Sequence, residues 1–203
     1  MIQLYIATED ALSEAVADRL VAEVNHGLQV AVRIGRGGNS YLKNKFPELT
    51  RLARSIPVLL LTDLDNTDCA PILLGAWSQG CVVPEGMLFR VVVREIEAWL
   101  MADRKGFADF FQVPKFKIPE YPETIDDPKQ FLLHLIRRYS NREIKAAILP
   151  ERGSKARIGL GYNQMLSRFV AEGWEIRRAA ATSDSLARAF RRLTELSAQA
   201  QAY

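Results

Sequence analysis

The stretch Pro57-Val58-Leu59-Leu60-Leu61-Thr62-Asp63-Leu64-Asp65 decides how this chain folds. A short aliphatic run bounded by proline reads as a strand buried on both faces, the setting of an inner strand in a parallel sheet. Asp63 and Asp65, spaced D-x-D, stand at its exit. Open α/β sheets place their ligands at that edge. Residues two apart in a strand point to the same side, so both carboxylates are expected to converge on one hard cation. Mg²⁺ takes such oxygen ligands and shares them with a phosphate.

Around this run the first hundred residues alternate strand and helix. Strands are expected at 2–8, 28–34, 57–62 and 87–93. Helices are expected at 10–24, where Leu12, Val16, Leu20 and Val24 form one stripe, and at 41–54, 71–79 and 94–103. Successive βα units imply a mainly parallel sheet with right-handed crossovers and helices on both faces. From residue 107 the texture changes: Pro114, Pro119, Pro122 and Pro128 punctuate a stretch of turns. Helices are expected beyond it at 129–139, 142–148 and 164–171, and a last one opens at a capping residue, Thr182 or Ser183. The expected division is an α/β core at 1–106, then a Pro-rich connection and basic helical extension at 107–203 packed on that core. The apolar faces of the last helices leave packing on the sheet and on a second protomer, a homo-oligomer, both open.

Composition narrows the function classes. The 203 residues are 48% hydrophobic and 25% charged, ordinary values for a globular chain with a sizeable core. No run approaches 18 apolar residues, so no membrane span is expected. Met1 to Tyr5 lacks the basic region of a signal peptide, and a cytoplasmic location is expected. Cys69 and Cys81 give neither a disulfide framework nor metal spacing, and His26 and His134 are too few for a histidine site. No G-x-S-x-G elbow or Cys–His pairing suggests a covalent hydrolase. Charge is uneven: residues 1–127 carry 13 Lys+Arg against 18 Asp+Glu, and residues 128–203 carry 14 against 6. An acidic half able to hold metal, followed by a basic half, suits a protein that handles a polyanion; arginine-rich solvated helix faces would give the same count.

Further acids fall at the same expected edge. Glu9 follows the first strand, and Glu95 and Glu97 follow the fourth. Each has a plain structural alternative: Glu9 as a first-turn helix acid, Asp65 as a turn residue, Asp68 as a helix cap, Glu95 or Glu97 as helix surface. Carboxylates without histidine favour Mg²⁺ or Mn²⁺ over zinc. Such ions activate water and neutralise charge on a phosphoryl group.

Three segments carry a family resemblance. Tyr5-Ile6-Ala7-Thr8-Glu9 and Leu61-Thr62-Asp63-Leu64-Asp65 resemble the glutamate and D-x-D motifs of the TOPRIM domain. That fold is shared by topoisomerases, bacterial primases, recombination proteins and overcoming-lysogenization-defect nucleases. Val93-Arg94-Glu95-Ile96-Glu97-Ala98-Trp99-Leu100-Met101-Ala102-Asp103 resembles a TOPRIM-like family with an E-x-W…A-D helix after the fourth strand. Genes of that family often lie beside an AAA-type or SMC-like ATPase. The tail is similar at Lys155, Gly161-Tyr162 and Thr182 to Leu186. The resemblance implies a TOPRIM/Rossmann-like fold and a Mg²⁺- or Mn²⁺-dependent site. Asp63, Asp65 and Glu97 would be ligands, Glu95 the second choice for the last, and Glu9 a ligand or general base. The chain departs from the family in having Glu9-Asp10 where TOPRIM domains usually have E-G.

Gly35-Arg36-Gly37-Gly38-Asn39-Ser40 joins the second strand to a helix at the same edge. Its amides could cradle an anion, although the G-K-[ST] ending of a Walker A loop is missing. Arg36, Gly37, Gly38 and Lys43 or Lys45 are expected phosphate contacts; Lys155 and Arg157 are the basic candidates of the tail. Trp77, Trp99 and Trp174 are expected in the core. The first expectation for function is a metal-dependent phosphodiester nuclease acting on DNA before RNA. The resemblance implies an ATPase partner and a role in defence against mobile elements. A non-catalytic subunit of an ATPase complex, or hydrolysis or transfer on a small nucleotide, are the alternatives.

Overall fold

The computed structural model describes residues 1–24, 27–35 and 37–199; His26 and Arg36 lie outside them. Four strands, β1 (Ile2–Thr8), β2 (Leu28–Gly35), β3 (Val58–Asp63) and β4 (Met87–Val92), form one parallel sheet in the order β2-β1-β3-β4. The register pairs Thr8 with both Gly35 and Leu61, and Asp63 with Val92. All four strands therefore end at one edge. β3 is an inner strand: Val58, Leu59, Leu60 and Leu61 have no exposed surface. Burying each such side chain contributes roughly 1.5–3 kcal/mol relative to leaving it in water.

Side-chain alternation splits the core into two layers. Leu4, Ile6, Leu59, Leu61, Leu88 and Val92 face one side, and Val58, Leu60, Met87, Phe89 and Val91 face the other. The second layer is closed by α2 (Gly38–Leu52) and α3 (Ala70–Ser78), where Phe46, Trp77 and Phe89 meet edge to face at 5.4–5.9 Å. The first layer is closed by α1 (Ala11–Val24) together with helices from the second half of the chain.

After β4 come α4 (Ile96–Ala102) and α5 (Arg104–Phe111), two short 3-10 turns, α6 (Pro128–Tyr139) and α7 (Arg142–Ile148). Then follow α8 (Tyr162–Glu172), α9 (Ile176–Ala180) and α10 (Asp184–Gln199). The expected change of texture at 107, and with it the 106/107 boundary, falls inside α5. One hydrophobic cluster runs from Leu4 and Leu12 through Trp99, Phe107 and Leu132 to Phe169 and Leu193. The second half thus completes the core of the first, and Leu186, Ala189, Leu193 and Leu196 of α10 pack inward on α1 and β4. Trp77, Trp99 and Trp174 are all buried, as expected.

Other differences have local causes. The α2 helix starts at Gly38, three residues before the expected 41, and passes through Pro47 as expected. The α4 helix starts at Ile96, with Glu95 in extended backbone before it. Cys69, rather than Asp68, precedes α3, and Asp68 is exposed. The α10 helix is capped by Ser183, whose Oγ accepts from the Leu186 amide at 3.2 Å. No helix among the described residues is long and apolar enough to cross a membrane.

Candidate functional site

Where the strands end, the acids meet. Asp10 caps α1 by accepting the Ser13 amide at 2.8 Å, which leaves Glu9 free to turn along the sheet edge. Glu9 Oε1 accepts from the Thr62 hydroxyl, from the Asp63 amide at 3.0 Å and from Asn39 Nδ2 at 3.4 Å. Its carbonyl accepts the Gly38 amide at 3.0 Å. Glu9 thereby ties the ends of β1 and β3 to the start of α2. Burial raises its pKa, the Thr62 and Asp63 bonds oppose that, and the Asp65 charge adds to the rise.

Asp63 is the last residue of β3, and its Oδ1 is buried without a hydrogen-bond partner. Its pKa is raised well above the usual carboxylate range, first by burial, then by the charges of Glu97, Glu9 and Asp65; Lys129 opposes them. Asp65 sits differently from the strand-alternation expectation. Because β3 stops at Asp63, Leu64 turns inward and Asp65 lies exposed in a turn with φ +49°. The amides of both Leu64 and Asp65 donate to the Arg94 carbonyl at 3.0 Å, closing that turn.

Glu97, in the first turn of α4, is only 1% exposed. Its Oε1 accepts from the Tyr162 hydroxyl at 2.7 Å and lies 3.5 Å from Lys129 Nζ, while Oε2 is buried without a partner. Burial and the Glu97 charge push the Tyr162 hydroxyl far up, so it serves as a donor. Lys129 is held charged: burial works against it, but Glu97, Glu95 and Asp63 prevail. Glu95 is anchored elsewhere, its Oε2 accepting the Lys129 amide at 2.9 Å. Burial, reinforced by Glu97, raises its pKa.

Glu9, Asp63 and Glu97 are therefore brought together, Asp65 borders them in a solvent-exposed turn, and Glu95 secures α6 beside them. Asn39, Thr62, Lys129 and Tyr162 join the site without having been singled out from sequence as ligands or catalytic groups. Gly37 and Gly38 open α2 next to Glu9, as the edge argument requires; Arg36 of the same loop lies outside the described residues. Lys43 lies one turn further along α2, in a cleft against α3. Lys155 and Arg157 are exposed on the loop that leads into Tyr162.

The residues fit a hard cation by one test. Two buried carboxylate oxygens, on Asp63 and Glu97, have no donor to meet them. Buried charged oxygens left in that state cost several kcal/mol. Among the described residues no three His, Cys, Asp or Glu side chains form a ready cage. Mg²⁺ does not need one: it is commonly held by one or two carboxylates, with water and substrate phosphate filling the rest. No protein-family model, curated protein or solved structure matches the chain.

Proposed function

We propose that the chain is a Mg²⁺- or Mn²⁺-dependent nuclease of TOPRIM-like type, cleaving phosphodiesters in DNA in preference to RNA. The observation that carries this reading is the pair of unsatisfied buried oxygens, Asp63 Oδ1 and Glu97 Oε2, in a set of mutually repelling acids at the strand ends. Asp63 and Glu97 would hold the ion, with Asp65 at its rim. A bound ion of this kind neutralises charge on the phosphoryl group and makes water more acidic. The rest falls to the chain itself. Glu9, locked by Thr62, Asn39 and the Asp63 amide, fixes the direction of the Asp63 backbone. Tyr162 and Lys129 fix Glu97.

Charge on the second half supports a polyanionic substrate. Many of its arginines are spent internally: Arg168 on Glu172, Arg177 on Glu23, Arg178 on Asp103, Arg188 on Asp184, Arg192 on Glu85 and Glu195. By contrast, Arg137, Arg142, Lys145, Arg152, Lys155 and Arg157 make no ion pair among the described residues. They occupy the α6–α7 segment and the loop into Tyr162, between the two residues that hold Glu97. Unpaired Lys and Arg of this kind neutralise phosphates along a backbone.

One observation favours a second reading, a non-catalytic subunit of an AAA-type or SMC-like ATPase complex. Lys129 already places a cation against Glu97, where a metal's charge would otherwise be needed. Nicking of supercoiled plasmid in Mg²⁺ or Mn²⁺ separates the two. The nuclease reading expects nicking by the wild type that Asp63→Asn abolishes; nicking that survives this substitution would sink it.

A further inference from the structure

A second feature lies away from the acids, in the layer closed by α2 and α3. These helices run from the strand ends back across the sheet and bound a cleft of about 630 Å³. At 1.5 Å of rise per residue, Lys43 stands about 6 Å and Arg51 about 18 Å along the α2 axis from Asn39, so the cleft leads away from the Glu9 cluster with Lys43 at its near end. Its size falls in the range of small-molecule sites, which run from roughly 300 to 1,000 Å³.

The lining has a consistent chemistry. Lys43, Arg51 and Arg54 border the cleft, no carboxylate lines it, and none of the three cations has an ion-pair partner among the described residues. Neighbouring Glu48 is committed to Lys45 at 2.8 Å. The floor is apolar and aromatic: Phe46 and Trp77, edge to face at 5.9 Å, with Val82 at the rim, 81% exposed. Thr50 and Pro47 of α2 complete the wall. The helix opposite contributes no charge at all, since Ala70–Ser78 reads APILLGAWS.

We infer that this cleft binds a nucleoside phosphate, its phosphates on Lys43, Arg51 and Arg54 and its base against Phe46, Trp77 and Val82. Neither an anion alone nor an apolar group alone would use both halves of the lining. The cleft makes the chain responsive to a free nucleotide whatever the acidic edge does.

The test is equilibrium binding of a fluorescent N-methylanthraniloyl ATP to the full chain carrying Asp63→Asn and Asp65→Asn, in EDTA. In that background neither a metal nor the acidic site contributes, so the failure of one proposal leaves the other standing. Saturable binding is expected, displaced by unlabelled ATP and far more weakly by adenosine or tripolyphosphate. Arg51→Ala/Arg54→Ala should weaken it at least tenfold with no change in melting temperature; both side chains are exposed, so the fold should survive. Lys43→Ala is the second variant and should also weaken it. No saturation at millimolar nucleotide, equal displacement by tripolyphosphate and ATP, or unchanged affinity in the arginine variant would each overturn the inference.

Discussion

Tyr162 donates its hydroxyl hydrogen to Glu97 Oε1 at 2.7 Å, joining the first residue of α8 to the first turn of α4 across 65 residues of chain. Glu97 carries the acidic end of this bond, and Lys129 meets the same oxygen at 3.5 Å. A buried glutamate is thus held by two elements of the C-terminal half and aimed at the strand ends of the N-terminal half. The halves are one machine at this point.

Tyr162→Phe removes the closer donor and leaves the void almost unchanged. A hydrogen bond to a charged group contributes about 1.5–3 kcal/mol, so a loss near 2 kcal/mol is expected in urea unfolding. Lys129→Met should cost less, because the Lys129 side chain is 36% exposed and water can replace part of the contact. An equal or larger loss for Lys129→Met would show that the lysine, and not the tyrosine, secures Glu97.

Ser185 ties the last helix to the back of the site. Its Oγ donates to Glu123 and accepts from the Trp99 indole at 2.7 Å and from the Val93 amide at 3.3 Å. Ser185→Ala strands the buried indole N–H, at a cost of roughly 1–3 kcal/mol. Ser185→Thr, which keeps a hydroxyl, should recover part of that loss in the same unfolding measurement.

Asp103 gives the fold a pH dependence with a definite sign. Burial raises its pKa, but the Arg178 guanidinium, at 2.6 and 2.8 Å, and the amides of Gly106 and Glu175 outweigh burial and hold it below the usual 3.8. Its native state therefore binds fewer protons than the unfolded chain. The stability it contributes is present above the unfolded pKa and is lost as pH falls through the depressed folded value. Asp103→Asn should cost roughly 2–3 kcal/mol at pH 7, the low end for a buried pair because Arg178 is half exposed. The gap between variant and wild type should close as unfolding is followed below pH 4. A gap independent of pH would contradict the ion pair.

Two glycines should answer oppositely to alanine. A Cβ on Gly35, at φ +143°, would sit 1.9 Å from the Thr8 carbonyl oxygen, where β1 and β2 end beside Glu9. Gly75 lies exposed inside α3 with nothing within 4 Å of a Cβ. Gly35→Ala should disrupt the strand ends and lower the melting temperature sharply. Gly75→Ala should stabilise by roughly 0.5–1 kcal/mol, because alanine favours helix where space is open. A melting temperature unchanged in Gly35→Ala would contradict the close approach of the strands there.

Much of this is legible in the chain itself. Val58 to Leu61 announce an inner parallel strand because only burial on both faces tolerates four successive aliphatics. Strand ends follow from that, and so do the positions of Glu9, Asp63 and Glu97 on one edge. The inference fails at Asp65, since alternation holds only within a strand and β3 stops two residues earlier. It also fails at Lys129 and Tyr162. Their approach to Glu97 depends on how α6 and α8 dock, and helix periodicity says which face is buried but not what that face meets. The α9 helix escapes for another reason: five residues are too few for a periodic signal. The helix expected through Pro47 is present, because the hydrogen bond that a proline costs inside a helix is outweighed by the Phe46–Trp77–Phe89 packing.

If Asp63 and Glu97 form a cation site, calorimetric titration with Mn²⁺ and Mg²⁺ will detect it. Wild type, Asp63→Asn and Glu97→Gln would be compared at pH 7. Saturable binding by the wild type is expected, weakened at least tenfold in each variant, with a melting temperature that the ion raises most in the wild type. Absence of saturable binding by the wild type at millimolar ion, or equal binding by all three proteins, would contradict it.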